Sequence, residues 1–268
     1  MTNWDDAFDN IGYVPDALGY FDTWKAQAQM FRQSGVTSDF SQAYGPANRQ
    51  KLDLFYPESK PKGLVMFIHG GYWMKLDRSY FSHLAAGPLA NGWAVAIPSY
   101  TLAPEARISG MTREVAQAIM VAADKIEGPI RIAGHSAGGH LATRMLCEDS
   151  PIDKTTQARI IKAVSISGLH DLRNLIKTKI NDTLHLTTEE ALSESPCLNT
   201  VVTGSNITCW VGSIERPEFI RQSQLLYDTW VKQGAQMDVY LDPGKHHFNV
   251  IDSLEQPSSE LTRIVLET

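Results

Sequence analysis

The chain has 268 residues, 43% of them hydrophobic, and a formal net charge of −6. That length buries a sizeable core, and α/β folds of this size commonly form one domain. The acidic balance, with no Lys/Arg stripe, argues against a nucleic-acid binder, and no apolar run approaches membrane-spanning length.

Residues 1–50 are rich in aromatics, and YFDTWKAQAQMFRQSG (20–35) has apolar residues near helical spacing and a terminal glycine. This N-terminal arm either packs on the body or roofs a pocket, since cores and pockets are both aromatic-lined. From residue 51 strands and helices alternate. KLDLFYP reads as a half-exposed strand and GLVMFIHGG as a strand buried on both faces. A helix is expected over RSYFSHLAAGPLAN, a strand over GWAVAIPSY and a long helix over MTREVAQAIMVAADKIEG. PIRIAG (strand), SAGGHLATRML (helix) and IKAVSISG (strand) follow. An irregular stretch at about 171–200 reads as an inserted cap, and its basic run RNLIKTKI as a solvated helix face. SNITCWVG (strand), PEFIRQSQLLYDTWVKQG (helix), QMDVYLDPG (strand) and a final helix complete the chain. Repeated β-then-α units with buried strands imply one α/β domain over 1–268, a mostly parallel sheet with helices on both faces.

Three cysteines (Cys147, Cys197, Cys209) stand at wide spacings with no C-x-x-C, so neither a disulfide framework nor a zinc site is expected. Cys147 and Cys209 read as small core residues. The acidic N-terminus lacks a secretory pattern, so a cytoplasmic protein is expected. No metal cluster or dinucleotide fingerprint calls for a cofactor. The expected partner is a small-molecule substrate, with no nucleic acid and no membrane, and a homodimer is left open.

RIAGHSAGG carries G-x-S-x-G where a strand turns into a helix, the context that makes the pattern informative. Small residues at 134, 137, 138 and 139 permit the tight turn, leaving Ser136 exposed at the positive end of a helix. The alternative is a serine that merely caps that helix. A nucleophilic serine needs a base, and the base an orienting acid; in this fold the chain order is Ser, acid, His. The histidines after Ser136 are His140, His170, His185, His246 and His247, of which the last two follow the final strand, where the base belongs. Glu215, in the loop after a buried strand, is the leading acid, with Asp242 and Asp171 as competitors. Glu218, behind Pro217 in a first helical turn, is explained by the helix dipole. Oxyanion donors fall at the Ala137 amide and at the Gly71 and Tyr72 amides of FIHGGYW.

Taken together, HGGYW, YTLAPE, GHSAGG, ERPEF and HHF resemble the α/β-hydrolase superfamily, closest to its kynurenine formamidase (arylformamidase) branch, related to hormone-sensitive-lipase-like esterases. The resemblance spans about residues 50–255, with its motifs in the family's order. HGGYW in place of the esterases' HGGG, and an acidic residue followed by x-P-E-F-x-R-Q-S, point to the formamidase side. The family's His-Phe at the base position favours His247 over His246. Family members often carry Asp where Glu215 stands, a departure that a triad tolerates. YTLAPE lacks the esterases' arginine and is given no catalytic role. The resemblance implies a cofactor-independent serine hydrolase acting on an N-formyl arylamine, with Tyr72 and Trp73 lining the aryl site or Trp73 serving packing. Alternatives are a small-acyl carboxylesterase with the same machinery and a catalytically silent protein of this fold that only binds a ligand.

Overall fold

The computed structural model describes residues 2–267. Among them, eight strands form one sheet: β1 (Ser38–Ala43), β2 (Lys51–Phe55), β3 (Leu64–Ile68), β4 (Ala94–Pro98), β5 (Ile130–His135), β6 (Ile160–Ile166), β7 (Asn206–Gly212) and β8 (Gln236–Asp242). Their spatial order is β1-β2-β4-β3-β5-β6-β7-β8. The β1–β2 and β2–β4 pairs are antiparallel and every other pair is parallel. The helices are α1 (Trp4–Phe8), α2 (Asn10–Tyr13), α3 (Gly19–Arg32), α4 (Ala86–Ala90), α5 (Ile108–Lys125), α6 (Ala137–Arg144), α7 (Lys154–Ala158), α8 (Asn181–Leu184), α9 (Thr188–Ser193), α10 (Pro217–Trp230) and α11 (Glu260–Leu266). This is the α/β-hydrolase fold.

Side-chain alternation in the parallel strands builds two cores at once. Leu64, Met66 and Ile68 of β3 join a cluster with Val115 and Ile119 of α5, Leu141 of α6 and Phe219 of α10. Val65 and Phe67 of the same strand join Trp24 of α3 and Leu261 and Val265 of α11 on the opposite face. Cys147, Cys197 and Cys209 are all buried and free.

Two local expectations need correction. β2 is not half-exposed: Leu52, Asp53, Leu54 and Phe55 are all fully buried. Asp53 tolerates this because Arg32 (2.6 Å), Arg78 (2.9 Å) and the Ser41 amide (2.7 Å) all donate to its carboxylate. The helix expected over 78–91 is broken into two 3₁₀ turns (Arg78–Tyr80 and Ser82–Ala85) and then α4. Pro88 has no amide to bond back and its ring would crowd the carbonyl four residues earlier, so it fits only in the first turn of a helix, and α4 starts two residues before it. The irregular stretch at 171–200 holds the short helices α8 and α9 between two further 3₁₀ turns, Leu175–Lys177 and Pro196–Leu198. β1 and α7, neither expected from the sequence pattern, complete the sheet edge and the approach to β6.

Candidate active site

Ser136 sits where β5 turns into α6, with φ 57° and ψ −118°. A non-glycine residue with positive φ is strained, and the surroundings hold it there. Its amide donates to the Ile166 carbonyl at 2.8 Å. The turn closes only because its neighbours lack side chains: a Cβ on Gly138 would lie 2.0 Å from the Ile68 carbonyl oxygen. The Ser136 hydroxyl makes no capping bond to α6. Instead its Oγ lies 3.0 Å from His247 Nε2.

The His247 ring is 4% exposed and links the serine to an acid, with Nδ1 2.8 Å from Glu215 Oε2. A carboxylate can only accept, so Nδ1 carries the proton and Nε2 is free to accept from the serine hydroxyl. The other Glu215 oxygen, Oε1, accepts from the Ser167 hydroxyl and from the Gly212 amide (2.9 Å). The Phe219 ring packs on His247 at 4.6 Å, and His135 Nε2 donates to the His247 carbonyl at 2.8 Å. Burial, and then the neighbouring His247, holds the His135 pKa well below its ordinary value, so this ring is a neutral strut.

The other candidates lie elsewhere. Asp242 ends β8, where its carbonyl takes the Ser213 and Lys245 amides. Asp171 pairs with Arg173 at 2.8 Å and Glu218 with Arg221 at 2.6 Å. His140 meets the Glu194 carbonyl, and His170 lies between Ser165 and Gln222. His185 is an exposed left-handed cap behind α8. His246 faces Tyr20, its Nε2 3.1 Å from the phenol oxygen.

Gly71 and Tyr72 both have positive φ (109° and 49°), which curls the loop after β3 toward Ser136. Gly71 is required there, since a Cβ would stand 2.3 Å from the Lys75 carbonyl oxygen. Among the described residues, the Gly71, Tyr72 and Ala137 amides have no protein acceptor. A cavity of about 510 Å³ opens over Ser136 and His247, with Gly71 and Tyr72 in its wall. The N-terminal arm supplies Phe8, Ile11, Phe21 and Trp24 to that wall, so it lines the pocket as well as packing on the body. Tyr72 also anchors the arm, its hydroxyl donating to the Phe8 carbonyl at 2.5 Å. Trp73 does not line the cavity: it is 0% exposed and packs edge-on against His140, with ring centres 5.1 Å apart. Consecutive residues of a tight turn point in different directions, and the apolar core takes the indole.

Ser167, Gly212, His135 and Phe219 escaped the motif reading. His135 lies inside GHSAGG itself, and SISG at the end of β6 signals a turn. The contact from Ser167 to Glu215, however, spans 48 residues of chain, beyond the reach of any local pattern.

A family model described as BD-FAE matches residues 52–224. The kynurenine formamidase of Danio rerio is 30% identical over 84% of this chain and 79% of its own length. That of Drosophila melanogaster is 27% identical over 88% and 83%. A crystal structure from Silicibacter sp. tm1040, described as a "putative thioesterase", is 42% identical, covers 100% of both chains and superimposes with a TM-score of 0.92. The carboxylesterase EstE1, from a metagenomic library, shares the fold with a TM-score of 0.71 at 15% identity, over 96% of this chain and 99% of its own. With these relatives and this fold, the chain is a hydrolase of the α/β-hydrolase class. Among the described residues, no helix is long and apolar enough to cross a membrane.

Proposed function

The chain belongs to the BD-FAE family, and from that premise we propose that it is a serine hydrolase of the arylformamidase type, cleaving an N-formyl arylamine such as formylkynurenine. The observation that carries this reading is the unbroken relay from Ser136 Oγ to His247 Nε2 (3.0 Å) and from His247 Nδ1 to Glu215 (2.8 Å). In the proposed reaction His247 takes the serine proton as Oγ attacks the formyl carbonyl. The Gly71, Tyr72 and Ala137 amides hold the oxyanion, each worth ~2.7–4 kcal/mol of barrier. His247 then protonates the departing arylamine, and water, activated by the same ring, releases formate. The aromatic wall formed by Phe8, Phe21 and Trp24 suits an aryl leaving group, and the kynurenine formamidase relatives support the formyl substrate.

A small-acyl carboxylesterase is the second reading, favoured by the esterase relatives; a protein of Oryza sativa described as "Probable isoprenylcysteine alpha-carbonyl methylesterase" is 27% identical over 77% of this chain and 56% of its own length. Turnover of formylkynurenine measured beside short-chain aryl esters separates the two. Formamide cleavage lost on Ser136→Ala is the expected result, and brisk ester cleavage beside negligible formamide cleavage would leave the esterase reading. Labelling by a fluorophosphonate probe is expected to be lost in Ser136→Ala. An intact protein that fails to label would favour a silent ligand-binding protein.

A further inference from the structure

His246 stands beside the proposed base, yet it points away from the serine and toward the backbone of its own loop. The Phe248 and Asn249 amides donate to His246 Nδ1 at 3.2 and 3.4 Å. In return the His246 amide donates to Asn249 Oδ1 at 2.8 Å, and its carbonyl accepts the Val250 amide at 3.1 Å. This is the reciprocal logic of a helix capping box, with an imidazole nitrogen in the place usually held by a Ser or Asp oxygen. Backbone amides only donate, so Nδ1 must be unprotonated and the ring proton sits on Nε2, donating to the Tyr20 hydroxyl at 3.1 Å. The Tyr20 ring meets His246 edge-on at 5.2 Å and stacks on Phe248 at 5.7 Å, so α3 locks the ring into this pose.

We infer that His246 is a positioning residue for His247: its neutral imidazole caps the turn over 246–250 and so sets the direction from which the His247 ring reaches Ser136 and Glu215. The inference rests on the proposed role of His247 as base. It carries a consequence that a Ser or Asn cap would not. A proton on Nδ1 turns the acceptor into a third donor facing two N–H groups, and the cap is lost. Glu215 attracts that proton, while His247 and Lys245 oppose it. Across the contact with α3, Tyr20 presents a neutral phenol whose own field comes from Asp252 and Asp16. Burial, the largest influence, keeps the His246 pKa below its ordinary value, so the cap is intact at neutral pH and fails on the acid side.

The test compares His246→Ala, which removes the acceptor, with His246→Asn, which restores an uncharged one. Steady-state hydrolysis of 4-nitrophenyl acetate is followed as a function of pH. His246→Ala is expected to lose about tenfold in kcat with KM within about twofold, and His246→Asn to stay within about threefold of wild type. In wild type kcat/KM should fall up to about tenfold further on the acid side than in His246→Asn, whose cap carries no titrating group. The inference is overturned if His246→Ala keeps the wild-type kcat and acid limb, or if His246→Asn falls as far as His246→Ala. A wild type with no Ser136-dependent turnover of either this ester or formylkynurenine would instead overturn the functional reading, and this inference with it.

Discussion

At Glu215 two hydrogen bonds and one histidine compete for a single carboxylate, and this decides what a substitution there does. Oε1 is taken by Ser167 and Gly212, so only Oε2 faces the His247 ring. In Glu215→Gln the oxygen stays with those two donors, and the amide NH₂ then confronts His247 Nδ1. That favours the tautomer with its proton on Nε2, which cannot accept from Ser136. We expect kcat to fall by about 10⁴-fold, as when the acid of such a relay becomes its amide, while Asp242→Asn stays near wild type. Comparable losses in both variants, measured at saturating substrate, would unseat Glu215. Sequence spacing ranked these two acids but could not separate them, because the deciding fact is direction: the loop after β7 turns back on itself, with the Glu215 amide on the Gly212 carbonyl at 3.2 Å. The turn that holds Ser136, by contrast, was legible from its flanks, and HGGYW, ERPEF and HHF weighed against a mere helix cap. The small residues that let β5 turn into α6 are in the chain, and they leave few other uses for a serine between them.

Among the elements, β2 is where pattern and structure part most clearly. K-L-D-L-F alternates like a strand with one wet face, yet its Asp53 is 0% exposed because α3 and the turn at 78–80 bring Arg32 and Arg78 over it. Neither arginine is near Asp53 in sequence, so periodicity had no access to the pairing. The long helices α3, α5 and α10, and the strands β3 to β7, were readable because amphipathic spacing and continuous apolar runs are local properties. Removing one partner of a buried ion pair typically destabilises by about 3–5 kcal/mol. Both guanidinium groups keep some access to water, with side chains 23% and 16% exposed, which places Asp53→Ala near the lower end, at about 3 kcal/mol. Urea denaturation measures it. Arg263→Ala, which removes two ion pairs with Glu260 and Glu267 at the surface, should leave the midpoint unchanged. Equal shifts in the two variants would mean that Asp53 does not tie α3 to the sheet.

Across the whole molecule, the fold brings residues 5–24 over a cavity whose floor is made from the loop after β3, the end of β5 and the loop after β8. That placement depends on contacts such as Arg216 with Asp6, 210 residues apart, and no local signal announces it. The same close packing encloses five histidines as neutral rings. Burial holds His69, His83 and His170 at about 4 and His140 at about 3, with His135 also well below 6.5. In the unfolded chain these rings take up protons below pH 6.5, while in the native state they do not. Their contribution to stability is therefore complete above 6.5 and is lost progressively as pH falls toward 4. Each contributes at most about 1.36 kcal/mol per pH unit in that window. Asp252 works the other way: burial raises its pKa to about 6, so its contribution is present below the ordinary carboxylate range and lost as pH rises through 6. Burial raises Asp242 in the same direction, and two such groups against five do not reverse the sign. With a native stability of about 5–15 kcal/mol, five protons are enough to unfold the protein on mild acidification. The urea midpoint should hold steady between pH 7.5 and 8.5 and drop steeply between 6.5 and 5; a midpoint that stays level down to pH 5 would mean that these histidines are protonated in the folded state.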